Sequence, residues 1–440
     1  MSDRKVKWPF VPVTRSVEIV RAEGAYLHTA KGQRILDAAG GAIVANVGHG
    51  RESVVRAVAE ETAAATYAVP TWLTPGRTAL LERLRRDWLH PALDHVHLAS
   101  GGSEGVESAM KIAIQYHAAR GESQRRLIIG RTISYHGTTI ATMAVGGHEA
   151  RKLGLAHALP HYPKAATPYP LRCPLGPAHP GVGRHYVDAL RAVIEAEGPR
   201  NVAAFLAEPI TGSSGGAIVP PDDYWPAVRA LCDEYGILLL LDEVMTGFGR
   251  TGRNFGYEHW PILPDVMVAG KGLAGGYAPL TGVFATRNVA STIADAKMNV
   301  MFHTFGAHPA ACAAANEVLR ILTDERLVPR AAEMGLVLRK RLSDALSNHP
   351  NVAEIRGQGL LQAIEIVRDR DTLEPYPVEA NVTNKVINEA LRRGVFFYIG
   401  GTGVVRDVVC MGPPFTITAS DIDSMVEVLA ESLTEVTAKI

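Results

Sequence analysis

Cysteine is scarce in this chain. Its 440 residues include four, Cys173, Cys232, Cys312 and Cys410, scattered with no Cys-x-x-Cys spacing. That excludes a disulfide framework and a zinc site and favours a reducing compartment. A surplus of either charge is also lacking, since 45 basic residues face 45 acidic ones. Nucleic acid and anionic membrane surfaces need a basic excess or patch, so neither is an expected partner. No apolar run approaches the roughly 20 residues of a spanning helix. Residues 1–7 are polar and charged, so no signal peptide is expected. The reading is a soluble, cytoplasmic protein that holds no metal.

Three familiar motifs are present only in part. Leu238-Leu239-Leu240-Leu241-Asp242-Glu243 resembles the Mg²⁺-binding strand of an ATPase, but the phosphate loop that such an enzyme needs is missing. Gly270-Lys271-Gly272 has neither its spacing nor its hydroxyl. Gly212-Ser213-Ser214-Gly215-Gly216 fits the G-x-S-x-G nucleophile elbow, which must open a helix. Here Pro220 and Pro221 follow too soon for one. His148-Glu149-Ala150-Arg151-Lys152 begins like a zinc-protease helix and lacks the second histidine.

What is there is an α/β pattern. Hydrophobic residues make up 47% of the chain, and the length suits two or three structural units. Between about residues 70 and 310, helical and short strand-like runs alternate, the pattern of a mostly parallel sheet. Strands are expected at 95–99, 127–130, 202–207, 236–241 and 265–269. A stretch rich in proline and glycine, 157–183, interrupts them and reads as a loop over the crevice or at a subunit contact. Near the C-terminus, Ser420 is expected to cap a helix with Asp421 and Asp423 in its first turn. Its apolar face would be Ile422, Met425, Val426, Leu429 and Leu433. The expected division is an N-terminal segment, 1–65, joining a small α+β domain, 324–440, around a large α/β domain, 66–323.

The chemistry concentrates at strand ends. Two neighbouring apolar runs finish in Asp242 and Lys271, and ligands of open α/β sheets collect at the carboxyl ends of strands. A lysine for Schiff-base chemistry and a carboxylate for a pyridinium nitrogen are what carbonyl–amine chemistry on an aromatic cofactor requires. For Asp242 alone, a buried acid with local hydrogen bonds is the plain alternative. Ser100-Gly101-Gly102-Ser103-Glu104-Gly105 joins a strand to a helix and would suit a phosphate, although such turns are often only turns. Tyr135, in Ser134-Tyr135-His136-Gly137, could cover one face of a planar ring or simply be a packed surface tyrosine.

Together these motifs resemble the class III aminotransferases, pyridoxal-phosphate enzymes of fold type I. Asp242-Glu243-Val244-Met245-Thr246-Gly247-Phe248-Gly249-Arg250-Thr251-Gly252 matches the acidic signature of that family, and Lys271 sits where its Schiff-base lysine sits. His303-Thr304-Phe305-Gly306, Arg356-Gly357-Gln358-Gly359 and Pro413-Pro414-Phe415 are similar to further family segments. The resemblance implies that Lys271 bonds pyridoxal 5'-phosphate and shuttles a proton, and that Asp242 keeps the pyridine nitrogen protonated. It implies that Tyr135 and Val244 sandwich the ring beside His136, and that Gly102, Ser103 and Thr304 hold the phosphate. Thr304 would come from the other protomer, which implies a homodimer, with a tetramer open. Glu208 would be the acid near the substrate side.

Two positions depart from the pattern. Met245 stands where many members have glutamine, and Cys410 where several have a carboxylate-binding arginine. Arg406 is the nearest candidate to replace that arginine, which leaves the neutralisation of Glu208 open. Tyr67 and Trp72 lie where members place pocket aromatics. The implied reaction is ping-pong transfer of an amino group from an amine or ω-amino acid to a keto acid, with pyruvate expected. The alternatives on the same fold are a decarboxylating transaminase, racemase, aminomutase or phospho-lyase. A binding protein on a retired scaffold would have no use for both Lys271 and Asp242.

Overall fold

The computed structural model describes residues 17–440. Its centre is a seven-stranded sheet in which Val202–Ala207, Leu238–Asp242 and Val266–Ala269 run side by side and parallel. Every residue of these three strands is buried. Continuous apolar runs belong in this position, because helices cover both faces of a parallel sheet and leave no face for polar side chains. His95–Ala99 and Leu127–Arg131 are also strands, so the five expected runs all form.

Two strands of this sheet went unanticipated, one of them in its interior. Thr281–Ala285 inserts between His95–Ala99 and Val266–Ala269 and pairs antiparallel with both. It follows its neighbour through a short connection instead of a crossover helix, so it breaks the alternation that marks the other strands.

The two ends of the described chain meet. Ile19–Glu23, Tyr26–Thr29 and Arg34–Asp37 form an antiparallel meander. Its fourth strand is Val395–Phe396, which pairs parallel with Arg34–Asp37. A separate antiparallel sheet orders Val352–Gln358, Leu361–Ile366, Val405–Met411 and Tyr398–Thr402.

The 157–183 stretch differs from the loop expected over the crevice. Lys164–Ala165 adds an edge strand beside Gly130 and Arg131. Beyond it, the buried Tyr169 and the half-buried Arg172 both hydrogen-bond to Glu365 of the C-terminal sheet. Arg356 completes the cluster, donating to Glu365 at 2.7 Å and to the carbonyls of Gly215 and Gly216, each at 2.7 Å. The stretch therefore ties the central sheet to the C-terminal one through buried, fully bonded charges. Isolated charges there would be costly.

The last helix, Ala419–Thr437, is capped by Thr418 and not by Ser420. The Thr418 hydroxyl accepts from the Asp421 N–H at 3.1 Å, and the Asp421 carboxylate accepts from the Thr418 N–H at 3.0 Å. This reciprocal box satisfies two otherwise orphaned donors. It requires the acid at the third helical position, which sets the start two residues earlier than Ser420 would. Asp423 consequently falls outside the first turn, while the apolar face is buried as expected.

Candidate active site

Leu238–Asp242 and Val266–Ala269 are in register with Asp242 opposite Val268. The first strand ends in Asp242, and the second continues through Gly270 into Lys271. A methyl group on Gly270 would lie 2.6 Å from the Thr281 hydroxyl, so only glycine lets the chain turn there. Lys271 itself has a φ of 43°, the left-handed region that costs a non-glycine residue strain. Burial lowers its amine to about 8; Asp242 opposes that shift, and Arg250 adds to it. A neutral amine is the nucleophilic form.

The acidic pair separates by role. Asp242 faces a cavity of about 310 Å³. Its Oδ2 lies 2.8 Å from Nδ1 of His136, and its Oδ1 accepts from the Val244 N–H at 3.0 Å. Glu243 turns into the core, where it accepts from the N–H groups of Gly256 and Tyr257 at 2.8 and 2.7 Å. Burial raises its carboxyl to about 7.

The cavity brings together Gly102, Ser103, Tyr135, His136, Glu208, Asp242, Val244 and Lys271. Gly102–Ala119 is an 18-residue helix whose first turn opens on it with no side-chain cap. Its free N–H groups form an anion seat. Ser103 Oγ accepts from the Thr138 N–H at 3.0 Å and faces Gly137, where a methyl group would come within 2.5 Å of it. Amine, carboxylate and anion seat around one cavity fit pyridoxal phosphate.

The counter-charge of Glu208 is Arg131, at the end of Leu127–Arg131. Its guanidinium donates to Glu208 Oε2 at 3.1 Å and to the Glu208 carbonyl at 2.6 Å. The Tyr135 N–H donates to Oε1 at 3.2 Å. Sequence reasoning missed Arg131, which belongs to no motif. It also missed Gly212 and Ser213, which line the cavity within the rejected nucleophile elbow. No helix opens there; the next begins at Tyr224. Met245 and Thr281 line the wall as well. Among the described residues no cluster of His, Cys, Asp and Glu could hold a metal.

Four expected site residues lie outside the cavity wall of the single chain. Arg406 donates to the Tyr376 carbonyl at 3.1 Å. Tyr67 donates to the carbonyl of Thr304 at 3.1 Å, and both are exposed. Trp72 is 68% exposed. Around Tyr67, Thr304 and Trp72 lie the exposed Leu73, Met301, Phe302 and Phe305.

Residues 11–433 match the family described as aminotransferase class-III. Putrescine–pyruvate aminotransferase of Pseudomonas aeruginosa is 33% identical over 424 residues, covering 96% of this chain and 91% of that protein. Taurine–pyruvate aminotransferase of Rhodobacter capsulatus is 35% identical over 435 residues, covering 95% and 92%. Among solved structures, an (S)-enantioselective omega-transaminase from Thermomicrobium roseum superposes with a TM-score of 0.91 at 35% identity, covering 97% of this chain and 96% of that one. The omega-transaminase of Pseudomonas jessenii in complex with PMP gives a TM-score of 0.91 at 29% identity, covering 98% and 97%.

Proposed function

The chain belongs to the class III aminotransferases, and on that premise we propose that it moves an amino group from an amine or ω-amino acid to pyruvate by a ping-pong mechanism. The observation that carries this reading is one cavity holding Lys271, Asp242 and the first turn of Gly102–Ala119. The named activities of the putrescine and taurine relatives support the donor class and the acceptor.

Pyridoxal phosphate, when bound, supplies an aromatic sink for the electron pair left by the broken substrate C–H bond. The chain does the rest. Gly102 and Ser103 would hold the phosphate, and Tyr135 and Val244 would flank the ring. Asp242, oriented by His136, would keep a proton on the ring nitrogen. Lys271 would hold the cofactor at its carbonyl carbon and would carry a proton to and from the substrate carbon. Its lowered pKa suits a group that must both attack and accept a proton near neutral pH. Glu208, already paired with Arg131, orients the substrate side of the ring.

The reading includes a homodimer. Thr304 of the partner subunit would complete the phosphate seat, and the exposed apolar residues around Thr304 form a face that a second copy would cover. Four buried, unpaired cysteines support a reducing compartment, and a cytoplasmic location is proposed with them. Among the described residues no helix is long and apolar enough to cross a membrane.

The test is spectroscopic. Purified holoenzyme should lose its visible cofactor band when mixed with putrescine, taurine or another ω-amine, and recover it with pyruvate as alanine forms. Bleaching without recovery by any keto acid, or product with one substrate alone, would assign a non-transferring reaction instead.

A further inference from the structure

The cations built into this site are committed to other tasks, with one exception. Lys271 is the nucleophile and Arg131 faces Glu208. Arg250 is buried and donates to the carbonyls of Leu360 and Pro413 at 3.4 and 2.7 Å. Arg406 is turned to the Tyr376 carbonyl. Arg151 is different. Its guanidinium lies 4.7 Å over the ring of Tyr135, a wall residue of the cavity, and its side chain is exposed. Among the described residues it has neither a carboxylate nor a carbonyl on its guanidinium.

Three contacts place this arginine at the rim. The short turn that carries it, Glu149–Lys152, adjoins His148, whose Nδ1 lies 3.5 Å from the Thr402 hydroxyl. The neighbouring Gly401 N–H donates at 2.7 Å to the carbonyl of Ser213, another wall residue. Tyr398, on the same strand, is close enough for the charge of Arg151 to oppose the burial that raises its phenol. Arg151 thus lies over Tyr135 and within electrostatic reach of Tyr398, whose strand partner is the buried Cys410.

We propose that Arg151 is a specificity-determining residue that takes the carboxylate of the keto acid, and of an ω-amino-acid donor, at the cavity rim. A guanidinium offers a planar fork that matches a carboxylate with two parallel hydrogen bonds. Resting on the Tyr135 face keeps the fork near the site without spending its N–H groups on the protein. A neutral amine needs no such partner and would leave Arg151 on its ring. The inference rests on the transaminase reading above and names the substrate class it selects.

The test compares Arg151→Met, which keeps the stem and removes the charge, with Arg406→Ala in the holoenzyme. For Arg151→Met, the KM for pyruvate should rise at least tenfold. KM and kcat with propanal, an acceptor of similar length without a carboxylate, should stay within about twofold. Arg151→Lys should fall between. Propionate binding, followed by calorimetry, should weaken at least tenfold in Arg151→Met and little in Arg406→Ala. That readout decides the question even if the wild type transfers no amino group, an outcome that would sink the transaminase reading alone. Equal losses with pyruvate and propanal, or unchanged propionate binding, would overturn the assignment of Arg151. So would a selective pyruvate defect confined to Arg406→Ala.

Discussion

Arg131 binds Glu208 twice, through the carboxylate at 3.1 Å and through the backbone carbonyl at 2.6 Å. Both residues are buried, so each charge depends on the other. Removing one partner of a buried pair typically costs about 3–5 kcal/mol, because the survivor is left uncompensated. Arg131→Met should lower stability by that order in chemical denaturation. Adding Glu208→Gln to the same chain should recover most of the loss. No recovery in the double variant would mean that Arg131 stabilises through packing alone.

Asp242→Asn keeps the shape of the carboxylate and the bond from Val244 while removing the charge proposed to hold a proton on the ring nitrogen. Losing one preorganised electrostatic partner costs about 10²–10³ in rate. Half-reaction rates with a saturating amine should fall by that factor with cofactor still bound. Near-wild-type rates would make Asp242 a structural acid.

The amine of Lys271 is lowered from 10.5 to about 8, with burial as the largest cause. Burial disfavours the charged form, so the neutral, reactive fraction grows as pH rises and saturates above about 8. Attachment of pyridoxal phosphate to apoprotein, trapped by borohydride, should accelerate up to that pH and then level. A rate that keeps climbing to pH 10 would show an ordinary solvated lysine. Lys271→Ala should abolish trapping and turnover while the phosphate seat still binds cofactor reversibly.

Phe302 and Phe305 stand exposed on either side of Thr304. If the proposed homodimer forms through this face, replacing both with aspartate should shift the protein towards monomer in sedimentation velocity and weaken its hold on cofactor, since Thr304 of the partner subunit would no longer reach the phosphate. A variant that stays dimeric with full cofactor affinity would place the interface elsewhere.

The sequence made the centre of the site legible for a physical reason. Buried parallel strands must be apolar on both faces, so an ionisable residue that ends such a run, as Asp242 does, stands out. Lys271 stood out in the same way. Thr281–Ala285 did not, because it contains Gly282, ends in no ionisable residue and joins the sheet without a crossover. Arg131 was invisible because its meaning lies in a partner brought near only by the parallel pairing of two strands. The cap of the last helix was off by two residues because Thr418 and Ser420 both offer a hydroxyl. The acid at Asp421 decides between them. Tyr67, Trp72 and Thr304 are surface residues in one chain, and their proposed roles depend on a second copy.

The parallel pairing of Val395 with Leu36 has a consequence for how the protein is made. At about 5–20 residues per second of synthesis, the last strand of the N-terminal meander leaves the ribosome tens of seconds after the first three. Throughout that interval Arg34–Asp37 presents an open hydrogen-bonding edge, the kind of edge on which nascent chains associate. The three early strands can form but cannot be sealed, and native closure must wait for nearly the whole chain. Sealing that edge is therefore a late step, and it rests on a single two-residue strand.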